Sequence, residues 1–164
     1  MPDKIFHVLF LCTCNSARSL IAESQLNALG KGRFQAYSAG SFPKGFVNPL
    51  ALEFLKNNGL PTDGLRSKPW DEFAVAGAPV MDYVLTVCDD AVEDVNPVWP
   101  GQPISAHWHV DDPDAVKGDE QAKHHAMVAA AANLRRRIEL FVALPAEALD
   151  RMSIQHELGK IGKN

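Results

Sequence analysis

The sequence is poor in cysteine, has no long apolar run and carries no excess of positive charge. Three cysteines among 164 residues do not make a secreted disulfide framework, so we expect free, catalytic or redox-active thiols in a reducing compartment. A net charge of -4 gives no basic stripe, which argues against a nucleic-acid partner. No apolar stretch reaches membrane-spanning length and the N-terminus lacks a signal-peptide pattern, so we expect a cytoplasmic protein without a membrane partner.

The remaining composition is that of one globular domain in which strands and helices alternate. Its length is sufficient for a proper hydrophobic core. Apolar patterns predict strands over residues 5–11, 33–38, 82–87 and 104–108, and helices over residues 18–30, 48–59 and 119–144. Such alternation implies right-handed crossovers, and therefore an α/β, Rossmann-like fold with an open parallel four-stranded sheet and helices on both faces. We assign residues 1–145 to this domain and residues 146–164 to a polar tail that can form a helix.

A polar loop that carries candidate catalytic and anion-binding residues lies between the first predicted strand and the first predicted helix. It has the spacing Cys-x5-Arg-Ser and consists of Cys12, Thr13, Cys14, Asn15, Ser16, Ala17, Arg18 and Ser19. Successive loop amides can converge on an anion, the helix N-terminus adds partial positive charge, and Arg18 can bind two oxygens of a tetrahedral oxyanion. The same field favours a thiolate, so Cys12 is a candidate nucleophile to which Ser19 can donate a hydrogen bond. The alternative is that Cys12 is a small buried hydrophobic residue at the end of a strand.

Further polar residues follow the other strands at the same edge of the predicted sheet. The carboxyl ends of parallel strands lie together, and ligands of open α/β sheets bind there. Cys88 follows the third predicted strand, and Asp111-Asp112-Pro113 follows the fourth. A carboxylate of this segment could protonate a leaving oxygen, although Asp-Pro is also an ordinary way to begin a turn.

These residues occur in the order found in a known family. The chain resembles the arsenate reductases built on the low-molecular-weight protein tyrosine phosphatase fold, and the resemblance extends to about residue 144. It is carried by residues 9–23, Tyr37-Ser38-Ala39-Gly40, Asn48-Pro49, His107-Trp108 and Asp112-Pro113. The resemblance implies that residues 1–145 form a catalytic domain of this type.

The resemblance also implies roles for individual residues. Cys12 would attack arsenic, Arg18 would bind the oxyanion, and Asp112 would be the general acid. Cys88 would attack the sulfur of the arsenic adduct and form a disulfide, although a free cysteine at a strand end can also be purely structural. Many relatives have glycine in place of Cys14, which we interpret as a tolerated variant or an oxidation hazard.

A second set of residues is expected to support the loop. In some relatives Asn15, Glu23 and Ser38, with an Asp at the position of Lys68, hold a potassium ion. Lys68 would place an ammonium group there, so we predict no potassium requirement and no bound metal. We expect Asn15 to brace the loop through hydrogen bonds of its side chain rather than to contact the substrate.

The choice of reductant depends on a cysteine that this chain lacks. Thioredoxin-linked relatives carry a cysteine just before the proline that is here Pro97, whereas this chain has Val95-Asn96. We therefore expect no tightly bound cofactor, and we favour glutathione with glutaredoxin, or another small thiol, over thioredoxin.

The resulting hypothesis is reduction of arsenate to arsenite for arsenic detoxification, with phosphate or sulfate as substrate mimics. The main alternative is a phosphatase acting on phosphotyrosine or a small phosphomonoester, which needs the same first step. Tyrosine phosphatases of this fold usually have an aromatic residue after the Asp-Pro pair, whereas Asp114-Ala115 follow here. A third possibility is a protein that binds an oxyanion without turnover, but binding alone does not require a nucleophile.

Overall fold

The computed structural model describes residues 5–87, 103–113, 116–144 and 161, and they form an α/β fold around one parallel sheet. Its strands are β1 (Phe6–Cys12), β2 (Phe34–Gly40), β3 (Tyr83–Thr86) and β4 (Ile104–His107), in the order β2-β1-β3-β4. The predicted open parallel four-stranded sheet is therefore confirmed.

Strand β1 lies inside the sheet, between β2 and β3, because its side chains other than His7 are apolar on both faces. It pairs with β2 along its whole length and with β3 from Val8 to Leu11. Phe6, Val8 and Phe10 face one core cluster, against which three helices pack. These helices are α1 (Arg18–Leu29), α2 (Pro49–Asn57) and α3 (Glu120–Val142).

The opposite face of the sheet is covered by a smaller cluster. Leu9 and Leu11 of β1 pack there with Trp70 and Phe73, which belong to a 3-10 helix (Trp70–Phe73). Both faces are thus covered, as predicted. Within the described residues, however, all three α-helices lie on the first face, and the 3-10 helix covers the second.

One predicted boundary was wrong in a way that concerns the site. The second strand was expected to end at Ser38, but β2 continues to Gly40, which pairs with Cys12. The backbone N–H of Gly40 also donates to the Lys68 carbonyl at 2.9 Å. Because these ladder contacts extend the strand, the end of β2 is brought directly beside the polar loop.

The N-termini of α2 and α3 are capped by side chains, whereas that of α1 is not. Asn48 caps α2 by accepting from the backbone of Leu50 at 2.8 Å, and Asp119 caps α3 by accepting from Ala122 at 2.9 Å. Helix α1 follows Ala17 and receives no side-chain cap. Its first amides are therefore left for another acceptor, such as an anion bound by the loop.

The described chain has no helix that is long and apolar enough to cross a membrane. The predicted tail, residues 146–164, lies outside the described residues except for Ile161, whose side chain is buried in the larger core cluster.

Candidate active site

The loop between β1 and α1 is held from outside by the segment 42–48. The carbonyls of Thr13, Cys14 and Ser16 accept hydrogen bonds from backbone N–H groups of that segment, at 2.9, 3.0 and 2.8 Å. The described peptide bonds are all trans, and in a trans peptide the N–H points away from the carbonyl of the same unit. The amides that follow these carbonyls therefore point away from segment 42–48, which is the arrangement an anion-binding nest requires.

Asn15 gives the loop its bend. It has a φ of 46°, the one positive φ outside glycine among the described residues, and it is fully buried. Its Oδ1 accepts from the backbone N–H of Lys68 at 2.9 Å, and its Nδ2 donates to the Ser19 Oγ at 2.7 Å. Its side chain thus connects the loop to the start of α1 and to the Lys68 segment, as a brace would.

Gly40 allows the loop to approach β2 closely. A Cβ at this position would lie 2.5 Å from the Thr13 carbonyl oxygen and 2.9 Å from that of Cys12. Both oxygens belong to backbone, which cannot move aside cheaply. The strand predicted over residues 33–38 stops short of Gly40, so this role was not predicted, although the Ser-Ala-Gly motif was one signal for it.

Cys12, Arg18 and Asp112 are brought together at one small pocket. The pocket is lined by Cys12, Cys14, Ser16, Ala17, Arg18 and Asp112. The Arg18 Nη1 donates to the Val110 carbonyl at 2.8 Å, and its Nη2 lies 3.7 Å from the Asp112 Oδ2. Cys12 is buried, whereas the Asp112 side chain is 44% exposed and can meet an incoming anion. The Val110 contact was not predicted, because it depends on a carbonyl and carbonyls leave no signal in a sequence.

A buried charge cluster lies beside the loop. The Lys68 Nζ is 2.9 Å from the Arg66 carbonyl, 3.4 Å from the Ser38 Oγ and 3.8 Å from the Glu23 Oε1, and Ser38 donates to Glu23 at 2.6 Å. Burial raises the pKa of Glu23, although the Lys68 charge opposes the shift. Burial likewise lowers the pKa of Lys68, against the effect of Glu23. An ammonium group occupies the centre of this cluster, so a potassium ion does not fit here.

Several predicted residues do not enter the described site. Cys88 lies outside the described residues, as do Val95, Asn96, Pro97, Asp114 and Ala115, so the role of Cys88 stays a prediction. The two described cysteines, Cys12 and Cys14, are not in a disulfide. Among residues 5–87, 103–113, 116–144 and 161, no three His, Cys, Asp or Glu side chains are grouped closely enough to hold a metal ion.

Comparisons with known proteins identify relatives of this chain. Residues 7–151 match the family model described as low molecular weight phosphotyrosine protein phosphatase. The arsenate reductase of Bacillus subtilis (strain 168) is 35% identical over 123 residues, which cover 75% of this chain and 84% of the relative. A glutaredoxin arsenate reductase of Synechocystis sp. is 33% identical over 107 residues, which cover 65% of this chain and 78% of the relative.

A solved structure extends the likeness to three dimensions. The thioredoxin-dependent arsenate reductase of Corynebacterium glutamicum matches with a TM-score of 0.56 and 25% identity, over 86% of this chain and 65% of the other. The family model matches most of the chain, including every described strand except the first residue of β1. The chain therefore belongs to the low molecular weight phosphotyrosine protein phosphatase family, among relatives that include arsenate reductases.

Proposed function

We propose that this protein is a thiol-dependent arsenate reductase. The observation that carries the proposal is that Cys12, Arg18 and Asp112 line one pocket at the N-terminus of α1. Arsenate binds the loop amides and Arg18, the Cys12 thiolate attacks arsenic, and Asp112 protonates the oxygen that leaves as water. The arsenate reductase relatives support this choice of oxyanion.

Reduction requires a second thiol. Its thiolate attacks the Cys12 sulfur, the electron pair of the sulfur–arsenic bond stays on arsenic, and arsenite leaves. Arsenic gains two electrons while the two thiols become a disulfide. The second thiol is either glutathione or Cys88, and the resulting disulfide is then reduced by an external thiol.

We favour glutathione with glutaredoxin as the reducing system. Support comes from Val95-Asn96, which stand where thioredoxin-linked relatives have a cysteine, and from the glutaredoxin-type relative in Synechocystis. The thioredoxin-dependent Corynebacterium enzyme is the reason to test both systems. With such a reductant the enzyme would work in the cytoplasm and detoxify arsenic, and phosphate or sulfate would compete with arsenate.

Hydrolysis of aryl phosphates is a second candidate function. Phe42 is 71% exposed and Phe46 is 58% exposed, on the segment whose backbone is hydrogen-bonded to the loop. An exposed aromatic side chain on a segment bonded to the loop can contact the ring of an aryl ester that extends out of the pocket. This position offers an aromatic contact that Asp114-Ala115 do not provide.

Two assays separate these functions. Arsenite formation is measured with glutathione and glutaredoxin and, in parallel, with thioredoxin and its reductase, while hydrolysis of p-nitrophenyl phosphate is followed by absorbance. We expect arsenite from the glutathione system and slow phosphate hydrolysis. Rapid hydrolysis without arsenite from either system would refute the reductase and favour the phosphatase, and inactivity in both assays would favour a binding protein.

Cysteine variants test the chemistry of the proposal. Cys12→Ser should abolish both activities, because the serine hydroxyl is a far weaker nucleophile than a thiolate. Cys14→Ser is the matched control within the same loop and should retain both. Cys88→Ser should stop reduction and spare phosphate hydrolysis if Cys88 resolves the adduct, and unchanged reduction would assign that step to glutathione.

A further inference from the structure

Arg137 is the last residue of a basic run on α3, and its side chain is buried. Its neighbours Arg135 and Arg136 are exposed, and Arg135 pairs with Glu139 at 3.2 Å on the helix surface. Arg137 is only 4% exposed, and its Nη1 donates to the backbone carbonyl of His109. Burying a charged guanidinium costs free energy, so the buried position of Arg137 needs a structural or functional reason.

The His109 carbonyl belongs to the segment that carries the proposed general acid. Residues 108–113, here called the acid segment, follow β4 and include Asp112. The next carbonyl in this segment, that of Val110, accepts from the Arg18 Nη1 at 2.8 Å. Two consecutive carbonyls are therefore held by arginines from different elements, one from the anion-binding loop and one from α3. Hydrogen bonds from a charged donor are stronger than neutral ones.

The side of the acid segment that faces α3 is not filled by side chains. A cavity of about 230 Å³ separates the acid segment from α3. It is lined by Val110, Asp111, Asp112, Pro113 and Val116 on one side and by Ala126, Ala129, Ala130 and Asn133 of α3 on the other. Since this space leaves room for residues 111–113 to shift, the hydrogen bonds to the His109 and Val110 carbonyls and the approach of Arg18 to Asp112 at 3.7 Å all help to hold the carboxyl group in place.

We propose that Arg137 is a positioning residue that holds Asp112 at the pocket through the His109 carbonyl. The role rests on the proposed function in one respect, which is that Asp112 protonates the leaving oxygen. Arg137 itself does not line the pocket of Cys12 and Arg18. Its loss should therefore change the chemical step and leave oxyanion binding nearly intact.

Arg137→Met and Arg137→Lys test this role, with Arg136→Met as the exposed control from the same helix. We expect Arg137→Met to lower kcat for arsenate about tenfold with KM changed less than about twofold, because general acids contribute about 100-fold or more and Arg18 still holds Val110. Arg137→Lys, which keeps a charged donor, should recover part of the loss, and Arg136→Met should behave as wild type. Melting curves verify that each variant is folded.

Combination with Asp112→Asn distinguishes positioning from a general structural effect. If Arg137 acts through Asp112, Arg137→Met should cause no further loss of kcat once the acid is gone. A full tenfold loss in that background, a loss confined to KM, or wild-type kcat for Arg137→Met alone would overturn the proposal.

A second substrate allows the role of Arg137 to be tested even if the protein does not reduce arsenate. If wild type hydrolyses an aryl phosphate but yields no arsenite, the same variants are measured with phenyl phosphate, whose leaving oxygen needs the same proton. Arg137 is then tested although the reductase has failed. A wild-type protein inactive with both substrates would overturn both proposals, since there would be no acid to position.

Discussion

Replacing Lys68 by Met should destabilise the fold by about 3 kcal/mol at neutral pH, because Glu23 would keep a buried charge without its ammonium partner. Removing one member of a buried ion pair costs about 3–5 kcal/mol. The lower end applies here, since the Glu23 side chain retains 14% exposure and the hydrogen bond from Ser38 at 2.6 Å. Met has nearly the length of the lysine stem, so little packing is lost. In a protein of this size the change lowers Tm by about 6–12 °C.

The same substitution should make stability depend more steeply on pH. The folded-state pKa of Glu23 is raised above its ordinary value of 4.5 by burial, and the Lys68 charge restrains the rise. A raised pKa means that the stabilising contribution is present at low pH and is lost as pH rises through the folded value. Without Lys68 that pKa rises further. The loss in free energy of unfolding caused by Lys68→Met should therefore be small near pH 4 and grow toward neutral pH.

Urea unfolding at several pH values measures both effects. Lys56→Met, at an exposed position of α2, is the control and should stay within about 0.5 kcal/mol of wild type. In a Glu23→Gln background the cost of Lys68→Met should fall by about 2 kcal/mol, because no buried carboxylate is left unpaired. A loss below about 1 kcal/mol, or a deficit that does not change between pH 4 and 7, would refute the reasoning.

Three further predictions concern the loop and its surroundings. Gly40→Ala should lower arsenate turnover by about 100-fold, since its Cβ would lie 2.5 Å from the Thr13 carbonyl and displace the loop; normal turnover would show that the loop tolerates the contact. Potassium chloride should stimulate the enzyme no more than sodium chloride at equal ionic strength, because the Lys68 ammonium fills the cluster; a potassium-specific rise would contradict this. Phe42→Ala should raise KM for p-nitrophenyl phosphate about threefold and leave KM for arsenate unchanged, and equal changes would exclude a ring contact.

The placement of Cys12 and Arg18 at the two ends of one loop follows from local sequence pattern. An apolar strand, a polar loop and a helix start are consecutive in the chain, so hydrophobic periodicity alone predicts that Cys12 lies at the end of β1 and Arg18 at the start of α1. The parallel sheet follows in the same way from the alternation of strands and helices. The sequence around Asp112 was not sufficient to identify it, because Asp-Pro is common in turns. The family resemblance was needed to single it out.

The contacts that complete the site depend on residues far apart in the chain. Lys68 meets Glu23, Gly40 meets Thr13, and Arg137 meets His109, and none of these pairs has a local sequence signature. Two of the three involve backbone carbonyls, whose direction is set by the packed fold and is independent of residue type.

The sequence by itself therefore determined the fold class and the position of the polar loop between β1 and α1, because both arise from short-range apolar patterning and backbone chemistry. Only the tertiary structure decided which buried charges are paired and which arginines bond to the acid segment. Those choices depend on distances between elements that the chain folds together, and on the cost of leaving a charge or a carbonyl without a partner away from water.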